Sequence, residues 1–216
     1  MSATDELWQQ LVKPHVPHRT DAKLDKKQQQ DLTVVLQQWV ASCIQHDLRQ
    51  FAPPELLKHW KIVWKGKRSF LGAVRWQEVD VWMADEDAGL VLAVDPKHFQ
   101  SKDSLGKNWK NGHNDLVAFA SNLHERFPMC AVCGVIAFPE WASTPAILNQ
   151  MHSICIRSIP REKPSNAHGK FEAFALVVYN LDGDLMWPFK KDSPLKPSAA
   201  FTSLAEKLVT RTILVV

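Results

Sequence analysis

Between Glu78 and His98 the chain runs E-V-D-V-W-M-A-D-E-D-A-G-L-V-L-A-V-D-P-K-H. Two runs rich in Val, Leu, Met and Trp flank a turn-forming cluster from Ala84 to Gly89, which predicts two strands joined by a short polar turn. A β-hairpin turning between Glu86 and Ala88 sets Asp80 opposite Val94 or Asp95 on the neighbouring strand, about 5 Å away. Side chains two apart in a strand share a face, so Asp95 and Lys97 project together while Val94 and Pro96 point the other way. Val91, Leu92, Ala93 and Val94 are apolar on both faces, as in a strand covered on both sides, and Asp95 stands where that run ends.

Two carboxylates about 4 Å apart repel by roughly 4 kcal/mol at an effective dielectric near 20, so the pair calls for a shared proton or a cation. A divalent metal meets that need, with Lys97 beside it. An acid on one strand, followed by an acid, any residue and a lysine on the next, resembles the motif of the PD-(D/E)XK nucleases. That superfamily holds most type II restriction endonucleases. Asp80 matches the first acid, Asp95 the second and Lys97 the lysine. Pro96 takes the middle position, where its missing N–H is unusual for a central strand but its carbonyl remains available.

The resemblance covers about residues 28 to 180. It implies an α/β fold with a restriction-endonuclease-like core, a central mixed β-sheet flanked by helices. It also implies a site in which Asp80, Asp95 and the Pro96 carbonyl hold Mg²⁺, with Mn²⁺ as a substitute, and Lys97 stabilises the attacking hydroxide or the phosphate. Glu78 shares a strand face with Asp80 and is a candidate additional acid, or the first acid itself if the register is shifted by two. The implied function is hydrolysis of phosphodiester bonds in double-stranded DNA by a sequence-specific type II restriction enzyme. Two alternatives stay open: a repair, recombination or transposition nuclease of the same superfamily, and a noncatalytic DNA-binding module whose acids only bridge lysines. Cutting both strands with a short chain implies a homodimer on a two-fold symmetric site.

From Lys97 to Lys110 there are four lysines and one acid, Asp103, so this segment alone carries an excess equal to the +3 of the whole chain. It reads as a polar loop, with a helix from Asn114 onward marked by Leu116, Ala120, Leu123 and Phe127. Lys107, Lys110, Asn111 and His113 are the candidate DNA contacts, able to donate to phosphate oxygens or base edges. A second basic cluster, Lys61, Lys65, Lys67 and Arg68, reads equally as a phosphate-binding or a solvated loop. Asp31 and Asp47, on a helix predicted over Gln28 to Gln50, are weaker candidates for a further acid.

At 216 residues and 45% apolar the chain is long enough for one full core. Residues 1–27, polar and interrupted by Pro14 and Pro17, read as an N-terminal arm; residues 28–216 read as a single domain, with a C-terminal linker and helix over 181–216. The chain shows no apolar run suited to a signal peptide or a membrane helix, so a cytoplasmic location without membrane contact is expected. Cys43, Cys130, Cys133 and Cys155 are too few and too uneven for a disulfide framework. Cys130 and Cys133, followed by His152 and Cys155, match zinc spacing arithmetically. A structural zinc is not expected, because Cys130 to Phe138 reads as a buried strand, in which positions three apart face opposite sides.

Overall fold

The computed structural model describes residues 2–17, 25–86, 88–162 and 168–213. The chain opens with helices α1 (Ala3–Leu11), α2 (Lys26–Phe51) and α3 (Pro54–His59), followed by a two-stranded sheet of β1 (Arg68–Leu71) and β2 (Trp76–Val79). The central elements are β3 (Val81–Asp85), β4 (Gly89–His98), α4 (Lys102–Arg126), β5 (Ala131–Pro139), α5 (Pro145–Arg157), β6 (Ala173–Tyr179), β7 (Leu185–Met186) and α6 (Pro197–Ile213). The fold is α/β: a five-stranded mixed sheet in the order β3-β4-β5-β6-β7, with helices on both faces. β3 and β7 are antiparallel to their neighbours, and β4, β5 and β6 run parallel.

Parallel neighbours need crossovers, and α4 and α5 supply them. Both pack on one face through Leu105, Trp109, Leu116, Phe119, Leu123, Met151 and Cys155. The other face is covered by α1, α2 and α6 through Trp8, Leu36, Trp39, Ile44, Phe201 and Leu204. β5 and β6 are buried along their whole length, the signature of strands covered on both sides. Each fully buried Leu, Val or Phe in such a layer contributes about 1.5–3 kcal/mol relative to exposure.

Local signals account for the helix starts. The Asp25 side chain accepts from the Gln28 backbone while Gln28 reaches back to Asp25, a capping box that begins α2 two residues before the predicted start. Ser101 caps α4 by accepting from the Ser104 N–H. The segment expected to be a polar loop through Lys110 is therefore helical from Lys102. Leu105, Trp109, Gly112, His113 and Leu116 recur at helical spacing on its buried side, whereas the lysines and two glycines between them suggest a loop.

The arm expected at the N-terminus is corrected for residues 2–17, which dock on the domain. Trp8 is buried against Trp39 and Tyr179 and donates through Nε1 to the Gly183 carbonyl, and Val12 and Val16 join the same core. Polar composition hid this, because three apolar side chains suffice to anchor so short a segment. The rest of the expected arm, residues 18–24, lies outside the described residues, as do Asp87 of the predicted turn cluster and residues 163–167. The C-terminal helix is equally part of the domain, since Phe201, Leu204 and Leu208 are buried against α2 and the sheet. No helix among the described residues is long and apolar enough to cross a membrane.

Candidate active site

β3 and β4 pair antiparallel with Val81 opposite Val94, Trp82 opposite Ala93 and Met83 opposite Leu92; a bulge after Met83 shifts the register by one toward the turn. Asp80 sits at a bend just before β3, and the register continued by one residue sets it opposite Asp95. Val94 belongs to the core beneath α2, so by alternation Asp95 turns toward the opposite, α4 face; Asp80 stands at the bend where Val79 and Val81 enter opposite cores. Lys97 follows on that face, and its Nζ lies 2.6 Å from Asp95 Oδ2. The two carboxylates and the lysine expected from the sequence are thus neighbours.

The backbone explains the proline. Trp82 exchanges both backbone hydrogen bonds with Val63, on the side of β3 away from β4. Val81 therefore turns its own groups toward Val94, and since backbone groups alternate sides along a strand, Pro96 directs its carbonyl the same way as Val94. β3 has ended by that point. The N–H that proline lacks has no ladder partner on β3 to lose.

Both acids are largely enclosed, with 11% of the Asp80 side chain and 13% of the Asp95 side chain exposed. Burial pushes the Asp95 carboxyl above its ordinary value; Lys97 opposes this by charge and hydrogen bond, the negative charge of Asp80 reinforces it, and Lys67 opposes it. Part of the burial comes from the next strand. Gly134 of β5 is the register partner of Asp95, and the Phe174 ring fills the space a side chain there would need.

Lys67 is the functional candidate that sequence reasoning left undecided. Arg68 pairs with Val79, so the residue before β1 comes to lie by the residue after β2, and Lys67 Nζ sits 3.3 Å from Asp80 Oδ1 and 3.5 Å from Glu78 Oε1. Gly66, at φ +91°, supplies the turn that swings it there. Burial disfavours the Lys67 charge, but Asp80 and then Glu78 outweigh it and hold the ammonium above its ordinary pKa. The K-G-K-R turn was a visible signal; its pairing with the strand that leads into Asp80 was not.

Glu78, exposed on β2, joins the cluster through Lys67. Asp47 is buried and accepts from Thr202 Oγ1, a tie between α2 and α6, whereas Asp31 is exposed on the wall of a groove beside the site. This groove, about 1090 Å³, runs between the N-terminal half of α2, the turn 64–67 and the start of α4, and Lys67 stands on its rim.

The four candidate DNA contacts separate. Lys107, Lys110 and Asn111 are exposed at i, i+3 and i+4 spacing on α4 and form one outward stripe. His113 is corrected: it is buried, its Nε2 lies 2.8 Å from Ser158 Oγ, and burial holds its imidazole below the ordinary pKa. Its position, one residue before Asn114, where the stripe's next turn falls, rotates it into the core. Cys133 lies in the core beneath α2, and Cys130 and Cys155 lie in the core beneath α4, so β5 separates the sulfurs of the Cys-x-x-Cys pair.

The site's donors are hard oxygens: two carboxylates and one backbone carbonyl. Mg²⁺ is characteristically held by one or two carboxylates with water and substrate phosphate completing its shell, so this set fits it. Among the described residues no group of three or more His, Cys, Asp or Glu stands together as a metal site. Comparison of the chain with models of known protein families, with curated proteins and with solved structures gave no match.

Proposed function

We propose that the chain is a metal-dependent DNA endonuclease of restriction type, built on a PD-(D/E)XK nuclease core. The observation that carries this reading is the pair of enclosed acids around β4: Asp80 and Asp95 are both largely buried and act on one another, and Lys97 Nζ lies 2.6 Å from Asp95 Oδ2. A salt bridge alone needs one acid; here two carboxylates are enclosed together where one strand ends.

Asp80, Asp95 and the Pro96 carbonyl would hold Mg²⁺ or Mn²⁺, which when bound neutralises charge on the scissile phosphate and lowers the pKa of water. Lys97 presents its ammonium to the negative charge that develops on the phosphate oxygens as water attacks. Asp95 accepts the Lys97 hydrogen bond and so fixes where that charge stands. The lysines on α4 and on the groove rim provide the positive surface for the DNA backbone. Symmetric cutting of two strands calls for two copies of the chain.

The test is cleavage of phage and plasmid DNA with Mg²⁺, comparing wild type with Asp95→Asn. Discrete bands lost in the mutant support a sequence-specific endonuclease. A smear lost in the mutant transfers the same residues to a structure-directed repair or recombination role. DNA binding without cleavage in any divalent metal leaves the noncatalytic module.

A further inference from the structure

Lys67 faces two different environments. Its ammonium lies against Asp80 and Glu78 and within the field of Asp95, and its side chain also lines the groove between α2 and α4. We propose that Lys67 is a resident cation of the acid cluster, holding the place of a divalent metal until one binds and then transferring its contact to a DNA phosphate in the groove. The inference rests on the metal-dependent nuclease reading above and assigns Lys67 a regulatory part in it.

Among the described residues, two lysines pair with these acids, and they differ in how freely they can leave. Lys97 is anchored on β4, two residues from Asp95 on the same face, with 32% of its side chain exposed. Lys67 ends a turn that Gly66 makes possible, and 56% of its side chain is exposed. A lysine ammonium is a compact charge on a flexible four-carbon stem, so it can change partners without moving the backbone. A dication held by Asp80 competes for the same carboxylate charge and repels Lys67.

The groove offers somewhere to go. Lys26, Lys65 and Lys67 line it with Gln30 and Gln37, and among the described residues Asp31 is the one acid of its lining. Such a wall suits a polyanion's backbone. With metal absent, Lys67 lowers the repulsion between Asp80, Glu78 and Asp95; with metal present, its charge is available to DNA. Metal binding and DNA binding are thereby coupled through one side chain.

Calorimetry of Mn²⁺ and Ca²⁺ binding without DNA tests the first half, using wild type, Lys67→Met, Lys65→Met and Asp80→Asn. Lys65 sits on the same turn and has no ion pair to a carboxylate among the described residues, so it controls for the general field. The expected result is metal affinity raised about fivefold or more in Lys67→Met, the scale of one removed ion pair, with little change in Lys65→Met and binding lost in Asp80→Asn. The second half is read from the salt dependence of binding to a mixed-sequence DNA duplex. In Ca²⁺ the Lys67→Met slope should be shallower by about 0.9, and in EDTA it should match wild type.

Equal metal affinity in wild type and Lys67→Met, with Asp80→Asn still losing it, overturns the placeholder and leaves the nuclease reading standing. An equal gain in both lysine variants also overturns it. Metal binding that ignores Asp80 overturns both readings.

Discussion

Lys97 Nζ lies 2.6 Å from Asp95 Oδ2, an ion pair made between two residues of one strand face. The acid orients the lysine, and the strand holds both. Removing a preorganised charge from a reacting phosphate costs about 100-fold or more in rate, so Lys97→Ala should lose at least that much cleavage while melting normally. Single-turnover cleavage with a thermal melt checks this. A Lys97→Ala protein that cuts at the wild-type rate would remove the lysine from the chemistry.

A second ion cluster has a different role. Glu172, fully buried just before β6, accepts from His124 Nε2, Arg161 Nη1 and the Val132 N–H, and Arg211 Nη2 lies 2.7 Å away. It joins α4, β5, β6 and α6. Glu172→Gln should destabilise the fold by about 3–5 kcal/mol, because two buried guanidinium groups lose their counter-charge. Urea unfolding gives the number; a loss below 1 kcal/mol would show that water or neighbouring carbonyls already satisfy the arginines.

The same carboxylate sets an acid limit. Burial alone would raise its pKa, but the His124 hydrogen bond, the His124 and Arg211 charges and the Val132 N–H outweigh burial and hold it at about 2, below its ordinary 4.5. The unfolded chain therefore takes up this proton first as pH falls. The stabilisation, about 3 kcal/mol, is fully present above pH 4.5 and disappears toward pH 2. Unfolding free energies of wild type should fall more steeply through that window than those of Glu172→Gln. Parallel curves would refute the linkage.

Gly134 is required by its neighbour. A Cβ built there would meet Phe174 Cε2 at 2.4 Å, and that ring is wholly buried beside the register partner of Asp95. Gly134→Ala should destabilise by about 1–3 kcal/mol, the usual cost of overpacking a core. Chemical denaturation checks it, and an unchanged midpoint would mean that the ring relocates freely.

Lys107 and Lys110 project outward from α4, and His113 projects inward. Replacing both lysines by alanine should flatten the salt dependence of DNA binding by about 1.8, two phosphate contacts at about 0.9 each. His113→Ala should leave that slope alone and cost about 1 kcal/mol of stability through its lost bond to Ser158. If His113→Ala flattened the slope and the lysine variant did not, the two faces of α4 would have to exchange roles.

The hairpin, its register and the Asp80–Asp95–Lys97 constellation were legible in the linear chain because strand alternation and turn chemistry are local rules, and a two-strand pairing follows from them. The buried strand from Cys130 and the helix from Asn114 were legible too, as an apolar run and as helical periodicity. The start of α4 was not: a helix with lysines and Gly106 on its outer face resembles a loop until its buried side has something to pack against. Trp8 gave no warning that it would fasten the N-terminus to Gly183 across the fold. Lys67 needed β1 to pair with β2 before it could reach Asp80, and Glu172 needed four separate elements to supply its partners. Which residues could share a strand face or a helix side followed from the order of residues, since those periods are properties of the backbone. Tertiary structure alone decided which charges meet, because an ion pair between distant segments depends on packing that no local period encodes.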